Sequence, residues 1–216
     1  MSVPADDRRM LWRTSASPVK MRYLEQFAAG KTALDLGTGA GHYARALKER
    51  GFRVTGLDRD PLAHFDFPFI QARLNAIPFR GPFDTVLMFD VLEHEVDEAG
   101  ALRQLRRITG QRLLLSVPNG DDRLLTPYNL TYKHHVDKTH QREYLAPALH
   151  DKLEQAGFRV LRLTKEGPVH PALFAEFLPL TVLRAPARLA LKALHRLGLL
   201  GNRQLMADLY AVAEPA

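Results

Sequence analysis

The sequence predicts an α/β fold with a doubly wound parallel sheet. Short apolar runs of strand length alternate with amphipathic helical patterns, which argues for a parallel sheet covered on both faces. A glycine-rich turn, Gly37-Thr38-Gly39-Ala40-Gly41, joins the first such strand to the first such helix. The 216 residues, 46% hydrophobic and 25% charged, suit one domain able to bury a large core.

The elements follow in order. Residues 1–30 read as a helical lead-in, 32–36 as the first strand, and 43–50 as a helix closed by Gly51. Residues 53–58 (RVTGLD) form the second strand, and Asp60-Pro61 opens a short helix or turn, because proline fits a first helical position. A weak third strand covers 67–72 and a strong fourth covers 83–90 (FDTVLMFD); a helix over 97–108 stops at Gly110. The fifth strand, 112–117, ends at the turn Pro118-Asn119-Gly120. The loop 119–143 is too long for a plain connector, and its Tyr128, Tyr132, Lys133, His134, His135 and His140 suit contact with a polar or aromatic acceptor. A last helix and sixth strand fall within 143–160, and a final strand over 209–213 comes after a helical insertion or lid at 166–207. The chain is expected to be one domain from residue 1 to 216.

Composition excludes several chemistries. There is no cysteine, which removes disulfides, thiolate metal sites and a cysteine nucleophile. That is compatible with a cytoplasmic protein, as is a charged first segment without the apolar core of a signal peptide. No apolar run reaches the roughly 18 residues needed to span a bilayer. The net charge of +6 favours anionic partners. With no RNA-binding module and no interleaved basic and aromatic patch, nucleic acid is not the expected partner.

The turn after the first strand carries the strongest chemical signal. Glycines lacking Cβ let a ligand lie against bare backbone, and the following helix offers unpaired N–H groups. A dinucleotide fingerprint would place its third glycine one position later, at His42. Asp58 ends the second strand 21 residues after Gly37, where a carboxylate can accept both ribose hydroxyls of a nucleoside. A solvated carboxylate in the turn Asp58-Arg59-Asp60-Pro61 is the alternative. Asp35, two residues before the first glycine, tips the balance: Asp35-x-Gly37-x-Gly39-x-Gly41 resembles the first motif of class I S-adenosylmethionine methyltransferases. Phe83 to His94 (FDTVLMFDVLEH) looks like the fourth strand of their small-molecule type 11 and type 23 families, and the ending L-x-x-A-G-F at 153–158 matches their last helix and sixth strand. These matches cover residues 30–165.

The resemblance implies a Rossmann-like seven-stranded sheet with an antiparallel last strand, S-adenosylmethionine as cofactor, and methyl transfer to a small molecule. It carries a cofactor role onto Asp35, Gly37, Thr38, Gly39, Gly41, Asp58, Arg59 and Asp90. O-methylation of a sugar, quinone precursor or lipid-linked intermediate is the expected reaction. One position departs from the pattern: Arg73 stands where the family usually has an aspartate facing the adenine amine. Arginine has only donors, so either Gln71, Asn75 or a backbone carbonyl reads the adenine, or adenine binding is weak.

Methyl transfer to oxygen benefits from a base, and candidates occur in two places, Glu93-His94 and the loop residues His135 and His140. In one reading a histidine deprotonates the acceptor. In a second, Asp90-x-x-Glu93-His94 is similar to the E-x-x-E-H pattern of ubiquinone-biosynthesis O-methyltransferases and small-RNA 2′-O-methyltransferases, and gathers a divalent metal. In a third, Glu93 and His94 merely cap the next helix and pair with loop arginines. No metal is expected as a requirement. A metal-assisted RNA 2′-O-methyltransferase and a non-catalytic cofactor-binding or membrane-associated scaffold are the alternative functions.

The insertion adds one more feature. Arg184, Arg188, Lys192 and Arg196 recur every four residues on one helical face with His195, and Leu183, Leu191, Leu194 and Leu197 fall opposite. Such a helix over 186–198 could lie peripherally on an anionic membrane, close over a hydrophobic acceptor, or pack its leucines on the domain.

Overall fold

The computed structural model describes residues 15–60, 64–128, 130–169, 171–200 and 205–216. Seven strands make one sheet: β1 (Thr32–Leu36), β2 (Arg53–Asp58), β3 (Phe69–Gln71), β4 (Phe83–Phe89), β5 (Thr109–Pro118), β6 (Phe158–Pro168) and β7 (Met206–Pro215). Their order is β3-β2-β1-β4-β5-β7-β6. The first five run parallel, and β7 runs antiparallel between β5 and β6. This is the seven-stranded Rossmann-like architecture expected from the sequence.

Alternation along each central strand explains the two layers. Leu34, Leu36, Val86, Met88, Leu113 and Leu115 point to one face, where α3 (Glu98–Ile108) and α4 (Ala146–Gln155) cover them with Leu102, Leu105, Leu149 and Leu153. Ala33, Leu87, Phe89 and Leu114 point to the other, under α1 (Pro18–Phe27) and α2 (His42–Glu49) with Tyr23, Leu24 and Leu47. Each fully buried leucine contributes about 1.5–3 kcal/mol, so the central strands fix the sheet before any polar contact is counted. Asp97 caps α3 by accepting the Gly100 N–H at 2.8 Å.

The topology gathers chemistry on one rim. Parallel β1, β2, β4 and β5 all end there, at Leu36, Asp58, Phe89 and Pro118. Antiparallel β7 begins there, with Asp208 opposite Pro118. The loop 119–143 leaves from the same rim and returns at Tyr144, which bridges to Asn119.

Several expectations need correction. Gly110 does not stop α3: the helix ends at Ile108 and β5 starts at Thr109, because Thr109 pairs with Phe83. The helix of the insertion, α5 (Thr181–Arg196), begins five residues before Pro186, which lies inside it. β6 runs on to Pro168 and β7 starts at Met206, so the insertion is confined to 169–205. Leu191 does not lie opposite the cations: it is half-buried with Arg184, Ala187 and His195 on the stripe facing the rest of the insertion. No residue of α5 is buried, so its leucines do not pack on the domain as a core face would. The helix expected from Asp60-Pro61 falls largely outside the described residues, as do residues 1–14 of the lead-in.

Candidate active site

The glycine turn has the geometry its sequence suggests. Gly37, Gly39 and Gly41 have φ of 73°, 52° and 79°, all left-handed. A Cβ at Gly37 would lie 2.3 Å from Val91 Cγ2, and one at Gly41 would lie 2.9 Å from the Phe65 ring. The turn is therefore both conformationally and sterically reserved for glycine. Thr38 lies buried beneath it, and its hydroxyl donates to Asp35 O at 2.8 Å, bracing the turn from inside.

Carboxylates surround this turn. Asp58 Oδ2 accepts the Gly39 N–H at 2.9 Å and Oδ1 accepts the Asp60 N–H at 3.1 Å, which fixes the carboxylate over the turn with lone pairs to spare. Arg59 turns outward and pairs with Asp60 at 3.1 Å. Asp35 is buried, its Oδ2 has no hydrogen-bond partner, and burial with the nearby Asp58 raises its pKa to about 7. Asp90 has φ of 54°, the one non-glycine residue with positive φ among the described residues. Its Oδ1 accepts the Ser116 hydroxyl at 2.6 Å and its Oδ2 accepts the Lys20 ammonium. Burial and Asp90 push the Asp208 carboxyl to about 7, while Lys20 opposes the shift.

Lys20 is the cation that acts on Asp35, Asp90, Glu93 and Asp208 together. Burial works against its charge, but Asp90, Tyr43 and Asp208 outweigh that and its pKa is raised. No motif in the sequence marks Lys20, Ser116 or Asp208. Each reaches the rim only through the tertiary fold.

The histidines form a row across the neighbouring loop. The ring of His94 meets that of His140 at 4.7 Å, His140 meets His134 at 6.4 Å, and His134 meets His135 at 4.6 Å. Glu93 is 1% exposed, and neither carboxylate oxygen has a hydrogen-bond partner. Burial, with Asp90 nearby, raises its pKa well above the ordinary value. Polar atoms of Glu93, His94 and His140 all lie within 4.8 Å of one another. The Glu93 carbonyl accepts the Gln141 N–H at 2.8 Å, and Arg142 donates to Val96 O at 3.0 Å, so the loop is tied to the turn that carries Glu93.

His140 is half-buried, and burial with His94 lowers its pKa against the pull of Asp137. His135 stands apart from this trio, 3.1 Å from Glu143 and 3.7 Å from Asp122. His134 is held at about 4 by burial and His135, and its Nε2 lies 2.9 Å from Asn119 O. The structure thus brings Glu93, His94 and His140 together and leaves His135 on its own acidic partners. Glu93 and His94 sit in a 3₁₀ turn (Leu92–His94), and Asp97 rather than either of them caps α3.

Residues 9–163 match the family described as "Methyltransferase domain". The chain is 33% identical over 120 residues to a ubiquinone biosynthesis O-methyltransferase of Pseudomonas paraeruginosa, covering 48% of this chain and 52% of that protein. It therefore spans about half the length of the relatives it matches. Its fold is similar to that of a SAM-dependent methyltransferase from Archaeoglobus fulgidus, with a TM-score of 0.66, 18% identity and coverage of 98% and 100% of the two chains. A similar fold occurs in the Burkholderia thailandensis 1,6-didemethyltoxoflavin-N1-methyltransferase, solved with S-adenosylhomocysteine bound, at a TM-score of 0.63, 17% identity and coverage of 98% and 83%. Strand order, left-handed glycine turn and family match agree, and the chain belongs to the S-adenosylmethionine-dependent methyltransferase-domain family.

Proposed function

We propose that the protein transfers a methyl group from S-adenosylmethionine to an oxygen of a small-molecule acceptor, such as a sugar, a quinone precursor or a lipid-linked intermediate. The observation that carries this reading is the glycine cradle set among Asp35, Asp58, Asp90, Glu93 and Asp208. S-adenosylmethionine carries a sulfonium and an ammonium, which hydrogen-bonding carboxyl groups around the turn suit better than they suit a dinucleotide pyrophosphate. The relatives named ubiquinone biosynthesis O-methyltransferases support oxygen as the acceptor atom.

The residues present fit the cofactor. Gly37, Gly39 and Gly41 hold the turn in a left-handed conformation as bare backbone, and Asp35 at the end of β1 has a buried Oδ2 with no hydrogen-bond partner. Asp58 would hold the ribose through its remaining lone pairs. Gln71 donates its amide N–H to Arg59 O at 2.9 Å, which leaves its Oε1 free to accept the adenine amine in place of the carboxylate missing at Arg73. Asp90 would face the ammonium that Lys20 now mimics.

When bound, the cofactor supplies an electrophilic methyl carbon, so the chain's task is to align the acceptor oxygen and remove its proton. His140 suits that step. Its lowered pKa keeps the ring neutral near pH 7 with a lone pair available, and Asp137 at 3.7 Å stabilises the imidazolium that forms. His140 would take the acceptor's proton as the oxygen is methylated.

A second reading rests on Glu93. Its two orphaned oxygens, with His94 and His140 in reach, offer a divalent cation a mixed oxygen and imidazole site that would satisfy them. Transfer of labelled methyl from S-adenosylmethionine to a panel of sugars, catechols, hydroxybenzoates and their lipid-linked forms tests the function. Turnover that survives EDTA supports His140 as base, turnover lost in EDTA and restored by Mg²⁺ or Mn²⁺ supports the metal, and cofactor binding with no transfer to any acceptor contradicts both.

A further inference from the structure

The insertion 169–205 is rooted on the active-site rim. Asn119, which follows β5, donates its backbone N–H to Ala207 O at 2.8 Å and its side-chain amide to Met206 O at 2.7 Å. The two ends of the insertion are joined by the Val169 N–H and Leu205 O at 2.9 Å. The same Asn119 presents its carbonyl to His134. The insertion that carries α5 is therefore rooted beside the loop that bears the histidine row.

α5 meets the rest of the insertion along a narrow stripe only. Arg184, Ala187, Leu191 and His195 are half-buried, and Arg184 donates to Leu178 O at 3.0 Å. Beginning at the edge of that stripe and running away from it, Leu194, Leu183, Leu197, Val182 and Leu189 occupy an arc of roughly 140° on a 100°-per-residue wheel. Val182, Leu189 and Leu197 are 77%, 68% and 71% exposed. Phe177, just before the helix, is 54% exposed and continues this apolar surface.

Cations flank the arc on one side. Arg188 pairs with Glu176 at 3.2 Å, while Lys192 and Arg196 make no ion pair among the described residues. No aspartate or glutamate occurs from Phe177 to Ala207, and the whole chain carries +6. A wide apolar arc bordered by unpaired cations is the pattern of a helix lying in a membrane interface, apolar side down and charges at the headgroups. A second copy of the chain would bring like charges together at the same face, so charge complementarity selects an anionic surface.

We infer that α5 docks the protein on anionic lipid bilayers and presents the active-site rim to an acceptor carried in the membrane. The docking stands on the exposed face itself; the membrane-borne acceptor rests on the methyltransferase reading above. Together they narrow the acceptor class to a lipid-linked or strongly lipophilic molecule.

Flotation of the full chain with phosphatidylglycerol–phosphatidylcholine vesicles, against phosphatidylcholine alone, tests the inference. Binding to the anionic vesicles only, weakening as salt rises, is expected. The double variant Leu189→Asp/Leu197→Asp and the double variant Lys192→Glu/Arg196→Glu should each reduce the bound fraction by about fivefold or more. Both should titrate with S-adenosylhomocysteine like the wild type, since neither pair touches the cofactor site, and this readout reports the methyltransferase reading separately. Wild type that stays off anionic vesicles overturns the inference, as does a Leu189→Asp/Leu197→Asp variant that floats like wild type. A wild-type dimer that the same variant splits into monomers, without any vesicle binding, assigns the face to a second copy and also overturns it.

Discussion

The Lys20 ammonium, from the first turn of α1, donates to Asp90 just past the end of β4, 70 residues away in sequence. The contact pins the lead-in helix across the rim and places one positive charge among carboxylates that would otherwise repel each other. Cation–π contacts with Tyr43 at 5.8 Å and Phe89 at 5.7 Å steady the same ammonium.

Removing that charge should therefore destabilise the cofactor-free protein. Lys20→Met is expected to cost about 1–2 kcal/mol, less than a fully buried pair would, because the Asp90 side chain is 44% exposed. Thermal unfolding measures it. S-adenosylmethionine, by bringing its own cation, should recover more stability in the variant than in wild type; a variant as stable as wild type without cofactor would contradict the role.

A pH effect follows from Asp35. Its folded pKa of about 7 lies above the ordinary 3.8, so between those values the folded protein holds a proton that the unfolded chain has released. The cost of burying it is absent below both values, grows as pH rises from about 4 to about 7, and is constant above. His134, held at about 4, has the opposite sense, with a cost that grows as pH falls from about 6.5. Asp35→Asn removes the first contribution alone. The difference in stability between variant and wild type should shift in the variant's favour between about pH 5 and pH 8, read by denaturant unfolding at each pH. A difference that does not change with pH would show that Asp35 titrates normally.

Gly37 offers a steric test. Gly37→Ala must adopt a φ of 73° with its Cβ on Val91, so it should lose about 1–2 kcal/mol of stability and most of its cofactor affinity. Adding Val91→Ala relieves the clash and should return part of the stability. No recovery in the double variant would mean that backbone strain alone is responsible.

For the histidine trio, His140→Ala should lower turnover by about 10²-fold or more while leaving S-adenosylhomocysteine affinity within about twofold. His135→Ala, on a residue paired with Glu143 and Asp122 away from Glu93, should affect turnover much less. The reverse ranking would move the base to His135.

How much of this the sequence revealed depends on whether a feature is local. β1 and β2 have the bounds their patterns suggest, since β1 runs into the glycine turn and β2 lies between Gly51 and the Asp58-Arg59-Asp60-Pro61 turn, signals read within a few residues. The cradle Gly37-Thr38-Gly39-Ala40-Gly41 was legible for the same reason. Lys20 and Asp208 were not, because each acquires meaning only when α1 and the antiparallel β7 are laid against the ends of β4 and β5. Pro186 misled because a proline usually opens a helix; α5 carries it on an exposed face instead. Gly110 misled because α3 passes into β5 without a connecting turn.

Calorimetric titration of wild type and Asp58→Ala with S-adenosylhomocysteine tests the cofactor site most directly. Micromolar binding that Asp58→Ala weakens by about tenfold or more is the predicted result, as expected for a carboxylate that holds two hydroxyls. No binding to wild type, or equal binding by both proteins, would contradict a site built on the glycine cradle and Asp58.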